Sequence, residues 1–589
     1  MFSRRTFLSV SNIILLFIVQ TGCTKKIPDS PYTINWMSKE RVKGLDPQLA
    51  DDLYAGRATG LVYEGLLQYH YLKRPYVLIP ALADGMPDIS QDGLTYTFKI
   101  KKGVLFQDDP SFKSTQGKGR ELVAEDFVYS FKRLADPKLR AGSWWIFDGR
   151  IAGLNDWRDL ADKKGQADYK LSVEGLKAVD RYTLQIRLVK RLSQFSYFLA
   201  MPAAFVVPRE AVEHYGLEFQ NHAVGTGPFR LVNFQGSSKI VYVKNPTFRK
   251  EYYPSEGAPG DEAKGLLKDA GKELPLAEKF VLNIVVEEQP RWLNFLAGKF
   301  DQVELPKDVY GKAITPNKEI APDLKAKGIS LVLVPQLEVV RDSFNMEDPV
   351  LGKNKTLRQA ISLAIDSEKM GQLFFGGMVE LAQGIIPPGL NGNDPAYKNP
   401  LRQYNISKAK ELLAKAGYPG GKGLAPIDYL SLSDSNSRQK SEFMQKSLSE
   451  IGVQLNVSSL TWPDFQEKIK NKKGQMWQWG WGADYPDAEN FLQMFYSKNI
   501  SPGPNDANYI NPEFDKFYEQ ALNLMDGPQR TQLYKKMLMI MNEDVPYVPH
   551  YHRLLAATIQ PWLKNYKFVE FDHAMFKYYG IDPALKNVK

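Results

Sequence analysis

"RQKSEFMQKSLSEIGVQLNV", residues 438–457, changes its periodicity partway along. The stretch to Gly452 reads as a helix, and "VQLNV" alternates apolar and polar residues as a strand does. The same alternation of element types extends outward from it. "KFVLNIVV" (279–286) reads as a strand. "KTLRQAISLAI" (355–365) is a helix with Leu357, Ala360, Ile361, Ala364 and Ile365 on one stripe. "SKAKELLAKAG" (407–417) is a helix with Ser407 placed to cap its start and Gly417 to end it. Helices and strands in alternation from about residue 280 predict an α/β lobe.

Upstream the elements differ. "YTINW" starts as a strand, and "LDPQLADDLYAGRATGLVYEGLLQY" reads as a turn followed by a helix. "LTYTFKI" and "DRYTLQIRLV" are strands of period two, the second with Leu184, Ile186 and Leu188 on one face. "VAEDFVYSFKRLADP" is an amphipathic helix stopped by Pro137. A β-hairpin turns at Gly236-Ser237, and the polar stretch 254–275 reads as a mobile surface insertion. No internal repeat is present. At 589 residues the chain exceeds a single core and predicts two or three domains.

The net charge of +9 is small against 76 basic and 67 acidic residues, and no basic stripe interleaves with aromatics, so a nucleic-acid partner is not expected. The amino terminus carries more. "MFSRRTFLSVSNIILLFIVQTGC" has a basic start, an apolar run Ile13–Val19 too short for a permanent span, and small residues before Cys23. Arg4-Arg5 followed by Phe7-Leu8 fits the twin-arginine export pattern. Cys23 is the only cysteine, which excludes an intramolecular disulfide. Its setting resembles a bacterial lipobox, although Gln20 stands where that motif usually has Leu. The expectation is a signal peptide over 1–23, export to the periplasm or cell envelope, and a body held at a membrane by lipid on Cys23.

"GWGADYPDAENFL" (480–492) sets Asp484 and Asp487 among Trp481, Tyr485 and Phe491. A carboxylate in apolar company needs a cation or several donors. Asp484 therefore reads either as an acid awaiting a ligand cation or as a turn cap on a backbone amide. Asp487, in "YPDAEN", reads as a turn or helix N-cap.

Six segments in order resemble the bacterial extracellular solute-binding proteins of the oligopeptide and dipeptide ABC importers (family 5). They are "LVYEGLLQY", "VAEDFVYSFKRLADP", "GTGPFRLVNF…VKNPTF", "LRQAISLAIDSEKM", "SKAKELLAKAGYP" and "GWGADYPDAENFL". The resemblance implies an α/β, two-lobed periplasmic-binding-protein fold with an additional inserted domain. Lobe I would combine 24–75, 190–290 and 545–589, domain II would be inserted at 76–189, and lobe III would span 291–544. A peptide would bind between the lobes, and a monomer would deliver it to permease subunits in the inner membrane.

In oligopeptide binders that resemble this chain, the aspartate of the "W-x-A-D-Y" segment pairs with the peptide's α-ammonium group, and that position is Asp484. Trp481, Tyr485 and Trp462 would line side-chain pockets, with Trp145 (beside Trp144) and Tyr551 aligning loosely with other cleft aromatics. Some relatives carry an arginine six residues before the aspartate, for the ligand carboxylate. Here Gln478 stands there, and Arg438 or Lys440 is the substitute cation. The alternative within the family is a non-peptide solute: a nickel complex, haem, a sugar or an opine; the alternative outside it is a lipid-anchored enzyme.

No catalytic residue, cofactor or metal is expected. The chain has no nucleophile elbow, H-E-x-x-H or phosphate-binding Gly loop, and the S-x-x-K match at Ser407–Lys410 falls on a helix start. Of six histidines only His550 and His552 lie close in sequence, and a metal would need further ligands. The anchor is directly testable. Cys23→Ala should release the exported protein into the soluble periplasmic fraction, whereas retention on the membrane would refute lipidation at Cys23.

Overall fold

The computed structural model describes residues 30–50 and 52–586, so Cys23 and the apolar run before it lie outside the described residues. Three main sheets organise the molecule. In the first, Thr33–Ser38 pairs in parallel with Lys279–Ile284, which continues antiparallel to Lys239–Lys244 and then to Phe229–Gln235. The last two strands form the expected hairpin around Gly236-Ser237. The second sheet is small and antiparallel, in the order Asp88–Ile89, Thr95–Lys99, Thr183–Arg187, Leu176–Asp180. Leu184 and Ile186 are fully buried on its inner face, under the helix Ala124–Ala135, which ends at Asp136 because Pro137 cannot continue it.

The third sheet is the core of the α/β lobe. It runs Gln302–Glu304, Tyr547–Ile559, Glu338–Phe344, Met476–Gly482, Ile427–Leu432, Leu455–Leu460, with Ser330–Pro335 and Val379–Leu381 also bonded to Tyr547–Ile559. Ile427–Leu432 and Leu455–Leu460 are parallel and joined through the helix Ser435–Ser449, which is the βαβ unit that the 438–457 periodicity announces. Helix Lys355–Ala364 buries Leu357, Ala360, Ile361 and Ala364 against this lobe. Among the described residues no helix is long and apolar enough to cross a membrane.

Three expectations are corrected. Tyr547–Ile559 hydrogen-bonds within the third sheet, so the chain rejoins the first lobe after that strand and not at 545. The helix expected to start at Ser407 runs Ile406–Lys415 and is capped by Asn405, whose side chain accepts from the Lys408 amide. The polar insertion 254–275 is pinned: Lys567 donates to Asp261 at 2.6 Å and Asn565 to Asp269 at 2.8 Å, while Leu266 and Leu274 are buried.

The helix Leu53–Thr59 is capped by Asp52, which accepts from the amides of Tyr54 and Ala55. Its end lies hard against the carboxy-terminal tail: a Cβ on Gly60 would stand 1.6 Å from the His573 carbonyl oxygen. Gly60→Ala must therefore push helix and tail apart, at a cost of ~1–3 kcal/mol or more. A clearly lowered melting temperature is expected for Gly60→Ala and little change for Gly85→Ala, where nothing lies within 4 Å. Equal melting of the two variants would refute the close packing.

Candidate functional site

A cavity of about 680 Å³ opens between the lobes. Tyr54 and Arg57 of the helix Leu53–Thr59, together with Phe568, Glu570, Phe571 and His573 of the tail, supply its first-lobe side, and Trp145 joins from the turn Gly142–Ile146. The α/β lobe contributes Ala483 and Asp484 after the strand Met476–Gly482, Arg553–Ala556, and Phe374, Phe375 and Met378. The wall thus mixes aromatic surface with charged groups.

Most of those charges are already engaged. Lys39 pairs with Glu304 at 3.1 Å, and Arg57 Nε donates to both Asp572 oxygens, at 2.9 and 2.7 Å. Arg553 grips Glu338 through two nitrogens, and Arg291 stands 3.7 Å from Glu288. Asp484 is different, since no basic side chain among the described residues pairs with it. It presents surface to the cavity while protein crowds its carboxyl on the other sides. Burial pushes that carboxyl above the usual range, and a hydrogen bond from Asn490 draws it only partly back. Asn490 Nδ2 donates to Asp484 Oδ2 at 3.1 Å, and Asn490 Oδ1 accepts from Asp484 N and Trp481 Nε1, at 3.2 and 3.0 Å. This fully buried amide fixes both the acid and its loop. Its only sequence signal was an asparagine wedged between Glu489 and Phe491, where a polar side chain needs partners.

The neighbouring acids have other tasks. Asp487 caps the Glu489 amide at 2.9 Å, as expected, and also binds the buried Arg530 at 2.6 Å and the Tyr534 hydroxyl at 2.7 Å. Glu489 accepts from the hydroxyls of Tyr485 and Tyr518, and its carboxyl is raised first by burial and then by Asp487.

Of the aromatics expected in the cleft, Trp145 faces the cavity. The others do not. Tyr485 is buried, stacked on Tyr197 at 6.0 Å and edge-on to Phe198 at 5.4 Å, so it closes a seam of the core. Trp481 packs against that core through its half-buried ring, with its indole N–H taken by Asn490. Trp462, at 50% exposure, stacks on Phe465 and Trp479 away from the cavity. Tyr551 is fully buried in the helix-covered core, with its ring 5.0 Å from that of Phe375. Trp144 lies under Arg158.

Neither cation expected for the ligand carboxylate is among the residues of the cavity wall. Arg438 is exposed and outside it, although Asn436 two residues earlier belongs to it. Lys440 stands over the ring of the wall residue Phe375 at 5.0 Å, with Arg553, Asp434, Asp342 and Lys307 as charged neighbours. Burial pushes its ammonium below the usual lysine range. Lys440 and Lys307 have no acidic partner within ion-pair distance among the described residues. Gln478 reaches Met370 Sδ at 4.0 Å and does not line the cavity. His550 and His552 are taken by different groups, Asp342 and Ser367 for the first and the Glu338 carbonyl for the second.

Residues 77–503 match the family model described as "Bacterial extracellular solute-binding proteins, family 5 Middle". "Heme-binding protein A" of Haemophilus influenzae is 26% identical over 95% of this chain and 94% of its own length. The "Dipeptide-binding protein" of Escherichia coli is 25% identical over 91% and 92%. HbpA2 of Haemophilus parasuis has the same fold, with a TM-score of 0.75 at 23% identity, covering 93% of this chain and all of that one.

The geometry separates the two aspartates by their effect on stability. Asp487→Asn removes the partner of a buried guanidinium and should cost ~3–5 kcal/mol. Asp484→Asn removes a charge that the folded state disfavours: its carboxyl is raised on folding, so at neutral pH the ionised form subtracts from stability. Thermal melting at neutral pH should show a large loss for the first and no loss, or a gain, for the second. A loss at Asp484 equal to that at Asp487 would make Asp484 a structural acid.

Proposed function

The chain belongs to the family 5 bacterial extracellular solute-binding proteins of ABC importers, and from that premise we propose that it captures peptides between its lobes and hands them to membrane permease subunits. The observation that carries this reading is Asp484, an ion-pair-free carboxyl braced by Asn490 and facing the inter-lobe cavity. An α-ammonium completes it. The dipeptide-binding relative supports a peptide, whereas the haem-binding relative of similar identity is the ground for a non-peptide alternative. Lys440 and Lys307 take the ligand carboxylate in place of the arginine that Gln478 replaces, and Trp145 packs on a ligand side chain. Export, lipidation at Cys23 and action as a monomer that binds without turnover complete the proposal.

The energetics follow from one pair. Removing either member of a desolvated charge pair costs ~2–5 kcal/mol of affinity. Asp484→Asn and amino-terminal acetylation of a peptide should each weaken binding by that amount, and together by less than the sum, because they break the same contact. Calorimetry on the four combinations measures it. Equal affinity of the parent protein for free and acetylated peptide would remove Asp484 from the site. Haem binding with no heat from any peptide would replace the peptide by the non-peptide ligand.

A further inference from the structure

Glu570 of the tail stands among two further acids and two arginines, Arg57 of the first lobe and Arg553 of the α/β lobe. Asp572 occupies Arg57 and Glu338 occupies Arg553. The third acid, Glu570, lines the cavity with no cation of its own among the described residues. Its Oε2 accepts one long bond, 3.3 Å, from the Leu337 amide, and its Oε1 accepts none from the described residues. Its position is nevertheless fixed, because its own amide donates to the Tyr76 hydroxyl at 2.9 Å. A carboxyl that is held in place, reachable from a ligand cavity and left without a counter-ion is costly unless something arrives to pair with it.

Glu570 is also close to Asp484. Leu337 accepts the Ala483 amide at 2.8 Å and gives its own amide to Glu570, so the two acids flank a single residue. Both line the same cavity. A lysine at the amino end of a peptide offers an α-ammonium and, on a flexible four-carbon stem, an ε-ammonium.

We infer that Glu570 is a second ligand-reading carboxyl, which selects peptides carrying Lys or Arg close to the amino end whose α-ammonium sits on Asp484. The inference rests on the peptide reading above and adds the class of peptide. Charge in the surroundings supports it. Burial first, then Glu338 and Asp572, pushes the Glu570 carboxyl up to about 7, against the Leu337 amide and Arg57. His573 beside it is pushed down to about 4 by burial and stays neutral, so it supplies no compensating charge. Nor does the Tyr76 hydroxyl, raised to about 12 by burial. The empty site therefore holds a proton on Glu570 at mildly acid pH and releases it when a ligand cation takes the proton's place.

The test compares Lys-Ala-Ala with norleucyl-Ala-Ala, alike in length and stem, by calorimetry on the full chain and on Glu570→Gln. The parent protein should prefer the lysyl peptide by tenfold or more at pH 8. That preference should shrink at pH 5.5, where Glu570 must lose a proton to bind. Glu570→Gln, which mimics the protonated form and should fold, should show no preference between the two peptides at either pH. Equal affinity of the parent protein for the two peptides at pH 8 overturns the role of Glu570 with no variant needed, and leaves the peptide reading standing. A preference that survives in Glu570→Gln also overturns it. Binding of neither peptide by the parent overturns the peptide reading and this inference with it.

Discussion

The strand Tyr547–Ile559 carries the architecture. In thirteen residues it bonds to four other strands, and it is buried along almost its whole length. Such a strand must satisfy its ladder on both edges, yet Pro549 brings no amide. A bulge resolves the conflict. Arg341 pairs with Pro549 and Val340 with Tyr551, which leaves His550 as the extra residue. His550 is thereby turned to Asp342 at 2.8 Å on one ring nitrogen and Ser367 at 2.8 Å on the other, a satisfied and fully buried imidazole. Beyond the bulge the same strand delivers Arg553 and Leu554–Ala556 to the cavity wall.

Acids placed among aromatics meet three different fates within six residues. Asp487 is neutralised by Arg530, and Glu489 is held by two tyrosine hydroxyls. Asp484 receives a single amide hydrogen bond and faces space. Composition around the three is nearly the same, so partners decide what each one does. Two are structural because the protein supplies their counter-groups. The third is available because it does not.

The elements that position the site were legible wherever local periodicity dictates them. The stripe from Leu357 to Ala364, the alternation Leu184–Ile186 and the switch after Gly452 report their own burial, and the 480–492 stretch marked Asp484. What escaped depends on contacts far apart in sequence. Asn405 outcompetes Ser407 as a cap because the turn before the helix decides which side chain reaches the first amides. The family resemblance put Tyr485 and Tyr551 among the cleft aromatics, but a ring's destination is set by what packs on it, Tyr197 in one case and Phe375 in the other. Lys440 and Arg438 are two residues apart on one helix, so a rotation of about 200° separates a lysine packed on Phe375 from an arginine in solvent. The uncompensated Glu570 was invisible, since both arginines that would neutralise it are taken by acids elsewhere in the chain.

The same long-range bonds explain how the site can be rigid on each side and open between. The tail is locked to the first lobe by Arg57 on Asp572, Arg74 on the Phe568 carbonyl and Lys567 on the Leu72 carbonyl. Asp484 is locked to the other lobe by Asn490 and by the Ala483–Leu337 bond. The lobes also touch directly: Leu337 donates to Glu570 at 3.3 Å, Lys39 pairs with Glu304 at 3.1 Å, and Tyr197 and Phe198 pack on Tyr485. On the peptide reading proposed above, a ligand that engaged Asp484 on one wall and Glu570 on the other would favour whichever arrangement of the lobes lets it reach both, and would shift the population by that difference. Charges left unpaired on opposing walls would then both read the ligand and make closure depend on it.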